Sequence, residues 1–216
     1  MNSIKLGRLF GFPITLDPSA LAILALMVLM GAQRGAHSAY YSFMLMLVVF
    51  GSVMVHELGH AFAARAYGLG PIAITLHGFG GLTQFSQSPK PRQGIFITLA
   101  GPFAGFALGL VALVGSLFID TPVVGSLLVT ATTFNLFWSA FNLLPMYPLD
   151  GGSVTFHGLS MYKDPRVAML WTARLGVLVA VGVGTGAVLA DEVFIGIIAL
   201  MSLVRSVPLA MAGSAR

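Results

Sequence analysis

Tyr41-Ser-Phe-Met-Leu-Met-Leu-Val-Val-Phe-Gly-Ser-Val-Met-Val-His-Glu-Leu-Gly-His-Ala-Phe-Ala-Ala64 decides how this chain is to be read. As a helix it is long enough to cross a bilayer core, which takes about 20 apolar residues. Toward its end stand two histidines four apart with a glutamate between them. On a helix that spacing puts His56 and His60 on one face, with Glu57 beside them. A carboxylate inside such a run costs about 2.5–3.5 kcal/mol on insertion scales. An apolar span that keeps one beside two imidazoles has been built around a polar cluster.

The composition agrees with lipid as the main solvent. Of 216 residues, 57% are hydrophobic and only 8% charged, and the mean hydropathy is +0.92. A soluble domain carries about 25% charged residues. The net charge of +4 does not indicate nucleic acid, because the basic residues are scattered singly and not interleaved with aromatics. Cysteine is absent, which excludes a disulfide framework, a thiolate nucleophile and a thiolate metal site. Any metal is held by nitrogen and oxygen. No linker, repeat or low-complexity tract interrupts the chain, so residues 1–216 read as a single domain.

Working outward, apolar runs predict about six membrane spans: Pro18–Gln33, Tyr41–Ala64, Gly94–Ile119, Val123–Leu144, Val167–Ala190 and Val193–Ala212. Gly11–Pro18 separates Lys5 and Arg8 from the first run, so that run reads as a retained helix and not a signal peptide. Lys5, Arg8, Arg65, Lys90, Arg92, Lys163, Arg166 and Arg216 flank one set of span ends; Arg34, Asp120, Asp191 and Glu192 flank the other. The positive-inside rule then puts both termini in the cytoplasm. Between the second and third spans, Ile72–His77 and Leu82–Phe85 read as strands around Gly78-Phe-Gly-Gly81. Ile4–Leu6 with Pro13–Leu16 would form a second hairpin at the same face. The expected fold is a membrane all-α bundle of about six transmembrane helices with short β-hairpins at the cytoplasmic face. The Ile72–Phe85 hairpin is expected to offer an open strand edge to an unwound substrate.

A catalytic zinc takes three protein ligands and keeps one open position. Ala66 stands where a metzincin would need its third histidine, so that class is excluded. Glu192, Asp120 and Asp191 belong to the outer face, opposite the histidine pair; losing Glu192 also disfavours the prenyl-protein type of membrane protease. Asp17, Asp150, Asp164, His77 and His157 remain. Asp150 stands out: Pro145 and Pro148 break the fourth span just ahead of it, and Gly151 and Gly152 allow a tight turn after it. Asp164, beside Lys163 and Arg166, reads as a solvated loop residue, and His77 as a hydrogen-bonding residue of the hairpin. The residues from Gly152 to Lys163, with His157 among them, read as a loop. The glycines at 101, 105 and 109 on the third span, and 182 and 186 on the fifth, read as close-packing positions.

Asn142-Leu-Leu-Pro-Met-Tyr-Pro-Leu-Asp-Gly-Gly152, taken with His56-Glu-Leu-Gly-His60, resembles the site-2 protease family of intramembrane metalloproteases. Leu6-Gly-Arg-Leu-Phe-Gly-Phe-Pro-Ile14, Gly80-Gly-Leu-Thr83 and Ala100-Gly-Pro102 are similar to weaker family patterns. The resemblance implies one Zn²⁺ per chain on His56, His60 and Asp150, Glu57 as catalytic acid/base, and Asn142 near the metal, contacting substrate or oxyanion. Many relatives carry a PDZ or CBS domain, for which 216 residues leave no room, so a bare catalytic core is expected; the resemblance implies hydrolysis of peptide bonds in membrane-anchored proteins within the cell membrane, as in regulated intramembrane proteolysis. Two other classes compete. A metal transporter would carry more ionisable residues along its spans, and an inactive membrane-segment binder would have lost a ligand or the base.

Overall fold

The computed structural model describes residues 3–33, 35–78, 80–119 and 121–212. Arg34, Phe79, Asp120 and Arg216, each used in the sequence reading, lie outside the described residues. The element order is β1 (Ile4–Leu9), β2 (Phe12–Leu16), α1 (Pro18–Ala32), α2 (Ala36–Ala66), β3 (Ile72–His77), β4 (Gly80–Phe85), α3 (Pro91–Ser116), α4 (Pro122–Asn142), α5 (Asp150–Leu159), α6 (Pro165–Leu189) and α7 (Val193–Met211).

Among the described residues, five helices, α2, α3, α4, α6 and α7, are long and apolar enough to cross a membrane. The first expected span is realised as α1, whose 15 residues make a rod of about 22 Å at 1.5 Å per residue, short of a full bilayer core. Asp17 caps α1: its Oδ1 accepts from the backbone N–H of Ser19 at 2.9 Å and the Ser19 hydroxyl at 2.6 Å, and these bonds hold its carboxyl below the usual carboxylate range.

The two expected hairpins are present and joined in one four-stranded sheet of order β1-β2-β3-β4. β1–β2 and β3–β4 are antiparallel, whereas β2–β3 is parallel, with Ile14 opposite Ile74 and Leu16 opposite Leu76. α1 and α2 supply the long crossover that a parallel pair requires. Ile72, Ile74 and Leu76 of β3 are buried while the residues between them are half-buried, the period-2 pattern of a packed strand. β3 is thus an interior strand. The open edge expected of the Ile72–Phe85 hairpin lies on β4.

The molecule divides into two compact units: Met1–Ser88 with Ala100–Ser139, and Pro89–Leu99 with Ala140–Arg216. The boundaries fall in the connection between β4 and α3 and inside α3 and α4. In the first unit the sheet packs on α2, and β3 also touches α1. In the second, α6 packs along α7 and α5 along α6.

The second unit corrects four readings. The stretch expected to be a loop after Asp150 is the helix α5, Asp150–Leu159. Gly151 and Gly152 do not reverse the chain; they are buried in the first turn of that helix. A Cβ at Gly151 would strike the carbonyls of Leu143 and Leu144, and one at Gly152 the backbone of Met146 and Tyr147. Glycine is needed there because α5 lies against the main chain preceding it. Asp164 is a helix cap, its Oδ1 accepting from the Arg166 N–H at 2.8 Å. Gly182 and Gly186 face open space, so close packing does not explain them.

Candidate metal centre

The site in the first unit is assembled on α2. His56, Glu57 and His60 are all buried, and their potential ligand atoms lie within 4.8 Å of one another. The two Nε2 atoms are 3.1 Å apart, with the rings edge to face at a centroid distance of 4.7 Å. Two nitrogens bound to one tetrahedral zinc at about 2.0–2.1 Å would stand about 3.3 Å apart. The pair fits a shared cation in spacing and in donor type. Together with the neighbouring carboxylate it is also the chemistry that a metal site without thiolates requires.

Glycines set how closely other elements approach this cluster. Gly59, between the histidines, lets α2 meet α3: a Cβ there would collide with the carbonyl of Ala100. Gly101 lies against the His60 imidazole and Gly81 of β4 against the Glu57 side chain, each too close for a methyl group. Thr83 of β4 places its hydroxyl 2.7 Å from Glu57 Oε2 and 3.1 Å from the Glu57 carbonyl. That hydrogen bond turns the carboxylate to one side. Sequence reasoning had not assigned Thr83 a role, though it closes the Gly80–Thr83 stretch that carried part of the resemblance.

One turn before His56, Ser52 accepts a 2.8 Å hydrogen bond from Asn135 Nδ2. Ser139, one turn further along α4, is almost fully buried and lies where a Cβ on Gly105 would be. The glycines at 101, 105 and 109 thus make the packing lane expected of them, facing His60, Ser139 and Leu136 in turn.

The remaining expected site residues belong to the second unit. Asn142 is buried at the last position of α4. Asp150 opens α5 as its first-turn acid, following the buried Leu149. A carboxylate at that position is favoured by the helix dipole. Between them the chain is firmly seated: Met146 is fully buried, and Arg205 of α7 stands 5.2 Å from the centroid of the Tyr147 ring. Burial raises the Tyr147 phenol above its ordinary value, and Arg205 opposes that shift. His77, at the end of β3, contributes to the field that lowers the Asp17 pKa. His157 lies on α5, against Gly94 at the start of α3.

The sequence profile of Peptidase family M50 matches residues 44–122. A zinc metalloprotease of Methanocaldococcus jannaschii is 37% identical over 153 residues, covering 70% of this chain and 44% of that protein. A putative zinc metalloprotease of Synechocystis is 34% identical over 195 residues, covering 86% and 50%. The chain therefore spans about half the length of the curated relatives it matches. The solved structure of the site-2 protease from M. jannaschii superimposes with a TM-score of 0.72 at 26% identity, covering 97% of this chain and 95% of that one. With the HExxH cluster on a membrane-type helix and the Asn142–Gly152 stretch, this chain belongs to peptidase family M50, the site-2 protease family of zinc metalloproteases.

Proposed function

We propose that residues 1–216 form one intramembrane metalloprotease domain that hydrolyses peptide bonds in or near the transmembrane segments of membrane-anchored proteins. The observation that carries this reading is the buried pair of imidazole nitrogens 3.1 Å apart with a carboxylate beside them in an apolar helix. Two of the three points at which the chain passes from one compact unit to the other fall inside continuous helices, α3 and α4, which supports a single domain.

In this reading His56, His60 and Asp150 hold Zn²⁺, one ion per chain. The bound ion would supply a Lewis acid for the scissile carbonyl and acidify a water at neutral pH. Glu57 takes the proton of the attacking water and passes it to the leaving amine as the C–N bond breaks. Thr83 keeps the Glu57 carboxylate in one orientation through both transfers. Asn142 donates its amide hydrogen to the developing oxyanion. The three glycine-controlled approaches, at Gly59, Gly81 and Gly101, bring α3 and β4 close around this cluster, and a substrate segment unwinds to bring a carbonyl to the centre. The charge asymmetry of the connections supports a cytoplasmic site, with both termini cytoplasmic, in the cell membrane.

The test is metal analysis paired with cleavage of a helical membrane substrate. Glu57→Gln should keep its metal and lose activity by at least about a hundredfold, the low end for a general base. Asp150→Ala should lose metal and activity together. An active Asp150→Ala protein with full metal occupancy would remove Asp150 from the ligand set.

A further inference from the structure

Within the second unit, α5, α6 and α7 enclose an open cavity of about 610 Å³. Its walls are Phe156 of α5, Val167, Met169 and Leu170 of α6, and Leu209 near the end of α7. These are hydrocarbon surfaces. The one charged residue among the lining residues is Arg166, in the first turn of α6. Just before it stand Lys163, exposed, and Tyr162, 85% exposed.

A tyrosine and two cations at the end of a membrane-type helix are the residues that sit at headgroup level. Asp164 lies between the cations, but its Oδ1 is turned to the Arg166 backbone N–H at 2.8 Å, and the segment Lys163–Arg166 keeps a net positive charge. A ligand matching this cavity has two parts. It has a hydrocarbon portion long enough to line α6 and α7, and an anionic group at the end where Arg166 lies. Arginine binds phosphate oxygens through its planar fork, which a zwitterionic headgroup only partly rewards because its own cation competes.

We propose that this groove binds one anionic phospholipid, an acyl chain lying along Met169, Leu170 and Leu209 and the phosphate at Arg166 and Lys163. Because Phe156 forms one wall, the lipid would also bear on α5, the helix that Asp150 opens.

The experiment uses the intact protein in detergent, incubated with phosphatidylglycerol, with phosphatidylcholine of the same chains, or with glycerol 3-phosphate. Bound molecules are counted by native mass spectrometry. One phosphatidylglycerol should be retained, about fivefold more strongly than phosphatidylcholine for each cation engaged, and glycerol 3-phosphate should not be retained. Lys163→Gln with Arg166→Gln should lower phosphatidylglycerol to the phosphatidylcholine level and leave phosphatidylcholine unchanged. Leu170→Trp, which fills the groove, should lower both. A photoreactive benzoylphenylalanine replacing Met169 should capture phospholipid in the membranes of expressing cells, enriched in anionic headgroups relative to the same probe at the exposed Leu178. Equal retention of the two lipids overturns the proposal, as does unchanged phosphatidylglycerol binding in both variants. A protein adduct at position 169 would overturn it too, and would give the groove to a membrane segment of another protein.

Discussion

Glu57 Oε2 lies 2.7 Å from the Thr83 hydroxyl, and Gly81, two residues earlier on β4, leaves no gap beside the same side chain. The carboxylate is therefore held by the sheet and not by its own helix. Thr83→Val keeps the shape and removes the hydroxyl. Activity should fall about tenfold, the order expected for one hydrogen bond to a charged group, with metal content unchanged. Loss of metal in that variant would mean that Thr83 maintains the fold of the site and does not orient Glu57. The motif itself was legible in the sequence because two histidines and a glutamate at helical spacing are conspicuous in an apolar run. Thr83 was not, since nothing in a strand's own composition says which helix it will face.

At the scale of elements, β4 and α5 changed most between sequence and structure. The hairpin was readable from its alternation, but a strand's edges are decided by its neighbours. β2 pairs with β3, so prolines in β3 would break an internal ladder. On β4, proline substitutions at Gln84 and Phe85 separate two outcomes, because successive N–H groups point to opposite sides of a strand. The parity whose N–H faces β3 should lose metal and activity together. The opposite parity should keep metal and cleave poorly, if the open edge pairs with substrate. Normal cleavage at both parities would end that idea.

α5 was hidden because paired glycines ordinarily mark a turn, whereas here they permit close approach to the preceding main chain. On α5, burial lowers the His157 pKa below the ordinary 6.5, so the folded state favours the neutral ring. The unfolded chain then binds the proton more readily, and stability that is present above 6.5 declines as pH falls from there through the lowered value. His157→Gln should flatten the melting temperature over that window. A pH dependence identical to the unmodified protein's would exclude His157 as its source.

For the whole molecule, orientation in the membrane is the quantity on which the functional reading depends. The absence of cysteine from the chain makes it directly measurable. Single cysteines at Ser38 and Thr121 should react with an impermeant thiol reagent outside intact cells, and those at Ser88 and Ser160 only after the cytoplasmic side is opened. Outside labelling at Ser88 would reverse the orientation and restore Glu192 as a possible ligand. The apolar spans, the helix carrying His56, Glu57 and His60, and the helix break at Pro145 and Pro148 were determined by the sequence alone. A bilayer demands long apolar runs, a shared helical face demands the spacing of four, and a pair of prolines so close together does not let α4 continue, although single prolines, Pro102 and Pro208, are carried inside α3 and α7. Tertiary structure decided the rest: the parallel β2–β3 pairing, the grip of Thr83 on Glu57, and the close approaches at Gly59, Gly101 and Gly151. Each of these depends on which surfaces meet across long separations in the chain, and glycine and threonine carry no local signal of the partner they will touch.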